Sequence, residues 1–323
     1  MVKDRHLIEL NNIAARKIKD VGGKAAKLAE MIANEIPVPQ AICLTNYAFQ
    51  NFLKLNNIQK PLVNLLNYFQ NSQSEFVKKK AEQLRKEIIN GVFPEEDRAI
   101  LLSSIEKYFK KNSSTVSFAI RSSVIDEDSY SASFAGMFSS FLNVRGYENL
   151  LLSIKKCWAS ILNNRVISYR YKKGFKKIQY GMGIVIQKMI DSEKSGIMFT
   201  SHPLTKNNDM VIIQASWGLG GAIVSGKITP DTYILDKKTK NILEFELGSK
   251  KKMEIVEDHP TNNTKIISVN DVKAKMKCLS EIEIKKLLRY ALEIENIFGS
   301  PQDIEWTIKK GKVYILQSRP VTA

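Results

Sequence analysis

The chain has 323 residues, 44% of them hydrophobic and 25% charged, with a formal net charge of +16. That length suits one large domain or two lobes, and it builds a core without disulfides or structural metals. Three widely spaced cysteines, Cys43, Cys157 and Cys278, form no CxxC pair and point to a reducing compartment. No apolar stretch nears the roughly 20 residues that cross a bilayer. The charged first six residues lack the apolar run of a secretory leader, so a cytoplasmic location is expected.

Residues 24–33 follow Gly22-Gly23 and read as a helix with Leu28, Met31 and Ile32 on one face. Two more amphipathic helices are expected at 76–89 and 95–109, separated by the helix stop Asn90-Gly91. Val116, Phe118 and Ile120 alternate as a strand. A long helix is expected at about 147–172, with Leu151, Ile154, Trp158 and Ile161 at helical spacing. From residue 181 short apolar runs take over, at 183–190, 196–200, 210–215 and 232–235. Ser280 and Glu283 make a capping box for a helix reaching Phe298 and closed by Gly299. The chain ends in a hairpin, 303–309 with 313–319. A helix-rich first half and a strand-rich second half predict two lobes, 1–180 and 181–323.

The hairpin is the first candidate for chemistry. Asp303, Glu305 and Thr307 share one strand face, and Ile304, Trp306 and Ile308 the other. In the second strand Val313, Ile315, Gln317 and Arg319 share a face. A three-residue loop, Lys310-Gly311-Lys312, would set Glu305 opposite Gln317 and Asp303 opposite Arg319. Such a face suits a hard cation beside phosphates; a two-residue loop would shift the register. A solvated face with a surface ion pair is the simpler alternative.

Elsewhere the signals are weaker. Gly22-Gly23 before a helix, with Lys24 in its first turn, would let a backbone approach an anion, or would simply be a turn. Arg121 follows an apolar strand, and the small-residue stretch 131–140, with Gly136, Ser139 and Ser140, can present N–H groups and hydroxyls to phosphate. Asp126, Glu127 and Asp128 read as an exposed acidic turn. The run 184–190, ending through Gln187 and Met189, reads as an edge strand whose backbone could face an adenine. His202, after Thr200-Ser201 and before Pro203, reads as a loop histidine; a phosphohistidine role is the lesser alternative. His6 and His259 carry no signal. The basic charge fits nucleic acid, an acidic partner or a polyphosphate, but also the Lys, Asn and Ile excess of AT-rich coding. No aromatic-interleaved RNA-binding motif accompanies it, so nucleic acid is not the expected partner.

Taken in order, these segments resemble the N-terminal nucleotide-binding domain of the phosphoenolpyruvate synthase, pyruvate phosphate dikinase and rifampin phosphotransferase family, over nearly the whole chain. The resemblance is carried by residues 21–24, Ile36-Pro37-Val38-Pro39, 120–123, 133–136, 141–144, Cys157-Trp158-Ala159-Ser160, 196–203, Gly218-Leu219-Gly220, Pro230-Asp231-Thr232-Tyr233, 303–306 and 316–321. It implies an α+β, two-lobed ATP-grasp fold with ATP and Mg²⁺ between the lobes. Lys24 and Arg121 match the family's phosphate-binding Lys and Arg, and Gly136, Ser139 and Ser140 its phosphate loop. Gln187 and Met189 match the adenine hinge, and Glu305 and Gln317 the metal ligands. Asp303 and Arg319 match catalytic acidic and basic positions. Departures are Ala25 for Gly or Ser, His202 for Asn, and Gly221 for a Glu that would supply a polar contact.

By resemblance, the family passes the β-phosphoryl of ATP to a mobile histidine, leaving AMP. The histidine and acceptor domains would follow residue 321, whereas the sequence stops at Ala323. A separate domain or partner chain is therefore expected to supply them. Two alternatives stand: a kinase acting directly on a small molecule or protein, and a non-catalytic ATP-binding or RNA-binding module.

Overall fold

The computed structural model describes residues 3–68, 75–110, 116–125, 128–129, 132–133, 137–172, 181–257 and 264–321. The class is α+β. Residues 1–29 with 40–189 form one compact unit; residues 30–39 with 190–323 form a second.

The first unit is built on a five-stranded sheet. Its order is Leu7–Glu9, Ala41–Leu44, Met182–Lys188, Phe118–Val124 and Ser140–Val144, all neighbours antiparallel. One face carries Ile42, Leu44, Phe118, Ile120, Ile184 and Ile186 into the core against the surrounding helices. There Trp158, fully buried, lies between Phe49, Phe52 and Phe93 at ring separations of 5.4, 4.9 and 5.5 Å. Asp97 and His6 pair inside this unit, with Asn51 donating to the same carboxylate; burial pushes the Asp97 carboxyl up despite the His6 and Asn51 contacts.

Two expectations are corrected here. The composition change near residue 180 marks the start of a strand, not the edge of a unit: Met182–Lys188 pairs on both sides inside the first sheet. Gln187 and Met189 therefore belong to the first unit, and the run is a central strand rather than an edge. The long helix expected over 147–172 is three pieces, Tyr147–Ala159, a 3₁₀ turn Ser160–Leu162, and Asn164–Lys172. The Ser160 hydroxyl turns back to the Cys157 carbonyl at 2.6 Å, and Asn163 is extended at φ −62°, ψ 138°. Hydroxyl back-bonding of this kind competes with helix continuation.

The second unit holds a six-stranded antiparallel sheet in the order Ile242–Glu246, Asp231–Asp236, Met210–Trp217, Lys194–Phe199, Gln302–Lys309 and Lys312–Pro320. The helix Glu281–Phe298 has the expected capping box from Ser280 and Glu283, and ends on left-handed Gly299. Its buried face is Ile284, Leu287, Leu288, Ala291 and Ile294. Lys194, on the second-unit sheet, bonds Glu283 at 2.7 and 2.9 Å. Burial alone would raise the Glu283 carboxyl, but Lys194 and Ser280 hold it below the usual range.

A buried ion pair anchors this unit. Asp231 and Lys250 are both fully buried and paired. Asp231 also accepts the Gly248 amide at 2.8 Å and the Cys278 amide at 2.7 Å. One carboxylate thus ties three segments that lie apart in sequence.

A candidate nucleotide and metal site

In the closing hairpin the turn is two residues long, not three. Lys310 at φ +48° and Gly311 at φ +68° give both central residues positive φ, the type I′ arrangement that matches strand twist. On its own this would have broken the expected pairing. It does not, because a bulge between Glu305 and Trp306 inserts Leu316 as an extra residue in the second strand. Glu305 lies opposite Gln317 and Asp303 opposite Arg319, as expected, but through compensation. The bulge also overturns the expectation that Val313, Ile315, Gln317 and Arg319 share one face. Val313 and Ile315 pair with Ile308 and Trp306 in the core, whereas Gln317 and Arg319 stand with the carboxylates.

Arg319 donates to one Asp303 oxygen through Nε at 2.8 Å and Nη2 at 2.6 Å. Burial pushes the Asp303 carboxyl above its ordinary range; Arg319 opposes this and Glu305 reinforces it. No group of three His, Cys, Asp or Glu side chains among the described residues could hold a metal alone. The donor set here is mixed, carboxylate and amide oxygen. That fits Mg²⁺, which takes one or two carboxylates and completes its shell with water and phosphate oxygens.

In the first unit, the register gathers a second set. Arg121 lies opposite Ser140 on one side and Val185 on the other. Gln187, opposite Ala119, is two residues along from Val185 and so on the same face. The Gln187 side chain is buried, and its amide nitrogen has no hydrogen-bond partner among the described residues. Its backbone is engaged in the sheet, and the Met189 amide donates to the Ser117 carbonyl at 2.8 Å. Gly136, Asp126, Glu127 and His259 lie outside the described residues, as does the Asp128 side chain.

Lys24 sits in the first turn of Gly23–Ala33 and donates to the Ser122 carbonyl at 3.2 Å. The Ser123 hydroxyl accepts the Ala25 amide at 3.0 Å, so the strand with Arg121 also caps the helix with Lys24. Gly22 makes that approach possible. At φ +81°, ψ 171° it occupies a region almost confined to glycine, and a Cβ would stand 2.0 Å from the Ser123 carbonyl oxygen. Gly22→Ala is expected to cost about 3 kcal/mol of stability from backbone strain and displacement together, read as a lowered urea midpoint. An unchanged midpoint would mean that the turn is not held against the strand. Beneath the same strand, Cys157 donates to the Ser139 carbonyl at 3.4 Å, and its thiol is pushed up chiefly by burial.

His202 accepts the Leu204 and Thr205 amides on Nδ1, each at 3.2 Å, which makes it the organiser of its own turn. Beside Gly221, the Glu254 carboxylate stands 2.6 Å from where a Cβ would be. A carboxylate from elsewhere in the unit fills the space that a side chain at this position would enter. All three cysteines are buried thiols. No helix among the described residues is long and apolar enough to cross a membrane.

A family model described as pyruvate phosphate dikinase, AMP/ATP-binding domain, matches residues 18–323. The chain belongs to that family. Among its curated relatives is a probable phosphoenolpyruvate synthase of Archaeoglobus fulgidus, 38% identical over 97% of this chain and 41% of the relative. A second, from Methanocaldococcus jannaschii, is 35% identical over 97% of this chain and 26% of the relative. A rifampicin phosphotransferase of Bacillus cereus is 35% identical over 98% of this chain and 36% of that protein. The chain thus spans about a quarter to two-fifths of the length of these relatives.

Gln214 was not singled out in the sequence, and Thr232 entered only as part of Pro230-Asp231-Thr232-Tyr233. Each falls inside an apolar run that marks a strand, and nothing local shows which face it takes. Nearly all the excess of Lys and Arg over Asp and Glu falls within the first unit.

Proposed function

We propose that this domain is an ATP-grasp phosphotransfer module that binds Mg-ATP and passes a phosphoryl group, the β-phosphoryl, to a histidine on another domain or chain, yielding AMP. The observation that carries the reading is the double pair in the hairpin, Glu305 with Gln317 and Asp303 with Arg319. Glu305 and Gln317 would hold Mg²⁺. When bound, the ion would neutralise charge developing on the phosphoryl oxygens. Arg319, oriented by Asp303, would meet a phosphoryl oxygen.

Lys24 and Arg121 would bind phosphate oxygens in the first unit, with Ser139 and Ser140 as further phosphate contacts, Ser140 lying opposite Arg121. Gln187 and Met189 would hold adenine; the buried, unpartnered amide nitrogen of Gln187 supports a ligand contact there. In the transfer, an imidazole nitrogen bonds to the β-phosphorus as the bond from it to the oxygen bridging to the α-phosphorus breaks and AMP leaves; water then takes the γ-phosphorus from the bridge to the β-phosphorus, so that inorganic phosphate departs and the β-phosphoryl stays on the histidine. This chain's residues contribute positioning and charge stabilisation to that step. The names of the relatives support a pyruvate-type or antibiotic acceptor, handled by parts of those proteins that the chain does not match.

Titration calorimetry of ATP with Mg²⁺ into the chain, with a parallel assay for AMP, tests the reading. Binding is expected, with AMP release only when a histidine-bearing partner domain is added. ATP turnover that instead follows an added small molecule, with no histidine protein, would favour a direct kinase. The lopsided charge favours one further alternative, a basic RNA-binding module, which would show salt-sensitive RNA binding indifferent to ATP.

A further inference from the structure

The second-unit sheet aligns one unbroken cross-strand row: Gln317, Glu305, Ile197, Gln214, Thr232 and Glu246, each directly opposite the next. Directly opposite residues project to the same side. Gln214 and Thr232 therefore stand on the face that carries Glu305 and Gln317, with Ile197 between. All three are only partly buried. The opposite face is closed by a row of core residues, Ile304, Met198, Ile213 and Tyr233. Thus Gln214 and Thr232 are presented outward rather than into the core. Neither side chain has a hydrogen-bond partner among the described residues.

We infer that Gln214, assisted by Thr232, reads the sugar hydroxyls of the bound nucleotide. The inference rests on the Mg-ATP reading above. Two strand spacings separate Gln214 from Glu305, about 10 Å. That is the reach from a metal on the terminal phosphates, along a triphosphate, to the ribose. A carboxamide offers both donors and an acceptor, and a hydroxyl offers both, so the pair can satisfy a vicinal diol without adding charge. Ile197 supplies an apolar surface along the span between metal and sugar. A site that hydrogen-bonds a substrate hydroxyl rejects the analogue lacking it, because its own polar groups are then left unpaired.

The test compares binding of ATP and 2′-deoxy-ATP, each with Mg²⁺, to the chain and to Gln214→Leu and Thr232→Val. The unaltered chain is expected to prefer ATP by about 5–10-fold. Gln214→Leu is expected to weaken ATP by a similar factor and leave 2′-deoxy-ATP almost unchanged, erasing the preference. Thr232→Val should narrow it, and keeps the test open if the Leu variant does not fold. Equal weakening of both nucleotides, or a preference intact in both variants, overturns the inference while leaving the Mg-ATP reading in place. Failure of the unaltered chain to bind either nucleotide overturns that reading, and the sugar assignment falls with it.

Discussion

Glu305→Ala is expected to lower Mg-ATP-dependent turnover, measured with the partner domain present, by on the order of 100-fold or more, while leaving the unfolding transition in place. The residue is on the half-buried face of its strand; Ile304, Trp306 and Ile308 face the core and are untouched by the change. Its loss removes a hard anionic donor opposite Gln317, and one amide oxygen is a poor anchor for Mg²⁺ on its own. Calorimetry should show Mg-ATP binding falling toward the level seen for ATP with a chelator. Glu305→Gln should fall between the two, since it keeps an oxygen and loses the charge. Affinity and turnover equal to those of the unaltered chain would remove Glu305 from the metal site.

Asp231→Ala should give the largest stability loss, about 3–5 kcal/mol, because it strands a fully buried Lys250 ammonium. It also orphans the Gly248 and Cys278 amides, which Asp231 accepts. Lys250 would keep only the Gly248 carbonyl, at 3.0 Å. The check is denaturant unfolding followed by a probe in the second unit, such as Trp306, which is buried on the core face of that sheet. A double variant, Asp231→Leu with Lys250→Met, should recover most of the loss, since replacing a buried pair with apolar residues of similar volume is often neutral. If Asp231→Ala unfolds at the same denaturant concentration as the unaltered chain, the pair is not buried in solution. Burial first, and Asp231 second, also push the Cys278 thiol up to about 12, which keeps it protonated and inert.

The local elements were legible where a strong periodic signal met a strong terminus. The helix Glu281–Phe298 was readable from Ser280, Glu283 and Gly299 because capping is a matter of four neighbouring residues. The helix Gly23–Ala33 was also legible; Lys24, Arg121, Glu305 and Gln317 stood out as candidates through an ordered set of motifs, and Gln317 meets Glu305 only because the bulge offsets the two-residue turn. The expected continuous helix over 147–172 failed because the helical spacing of Leu151, Ile154, Trp158 and Ile161 runs on into the break itself. That break is set by one hydroxyl bond and one extended residue, neither of which changes the period.

What the sequence determined by itself was alternation, capping, charge and family, since these depend on near neighbours and on residue type. Tertiary structure alone decided register and neighbours. Leu316 bulges where the sequence shows only another apolar residue, and that bulge lets a two-residue turn keep Glu305 opposite Gln317. Met182–Lys188 became a central strand of the first unit because strands far away in sequence pair with both its edges. Gln214 reaches the carboxylate face through Ile197, which belongs to a strand between them. In each case the deciding contact joins residues distant along the chain. Its free energy comes from burying whole faces together, and no short window of sequence contains that quantity.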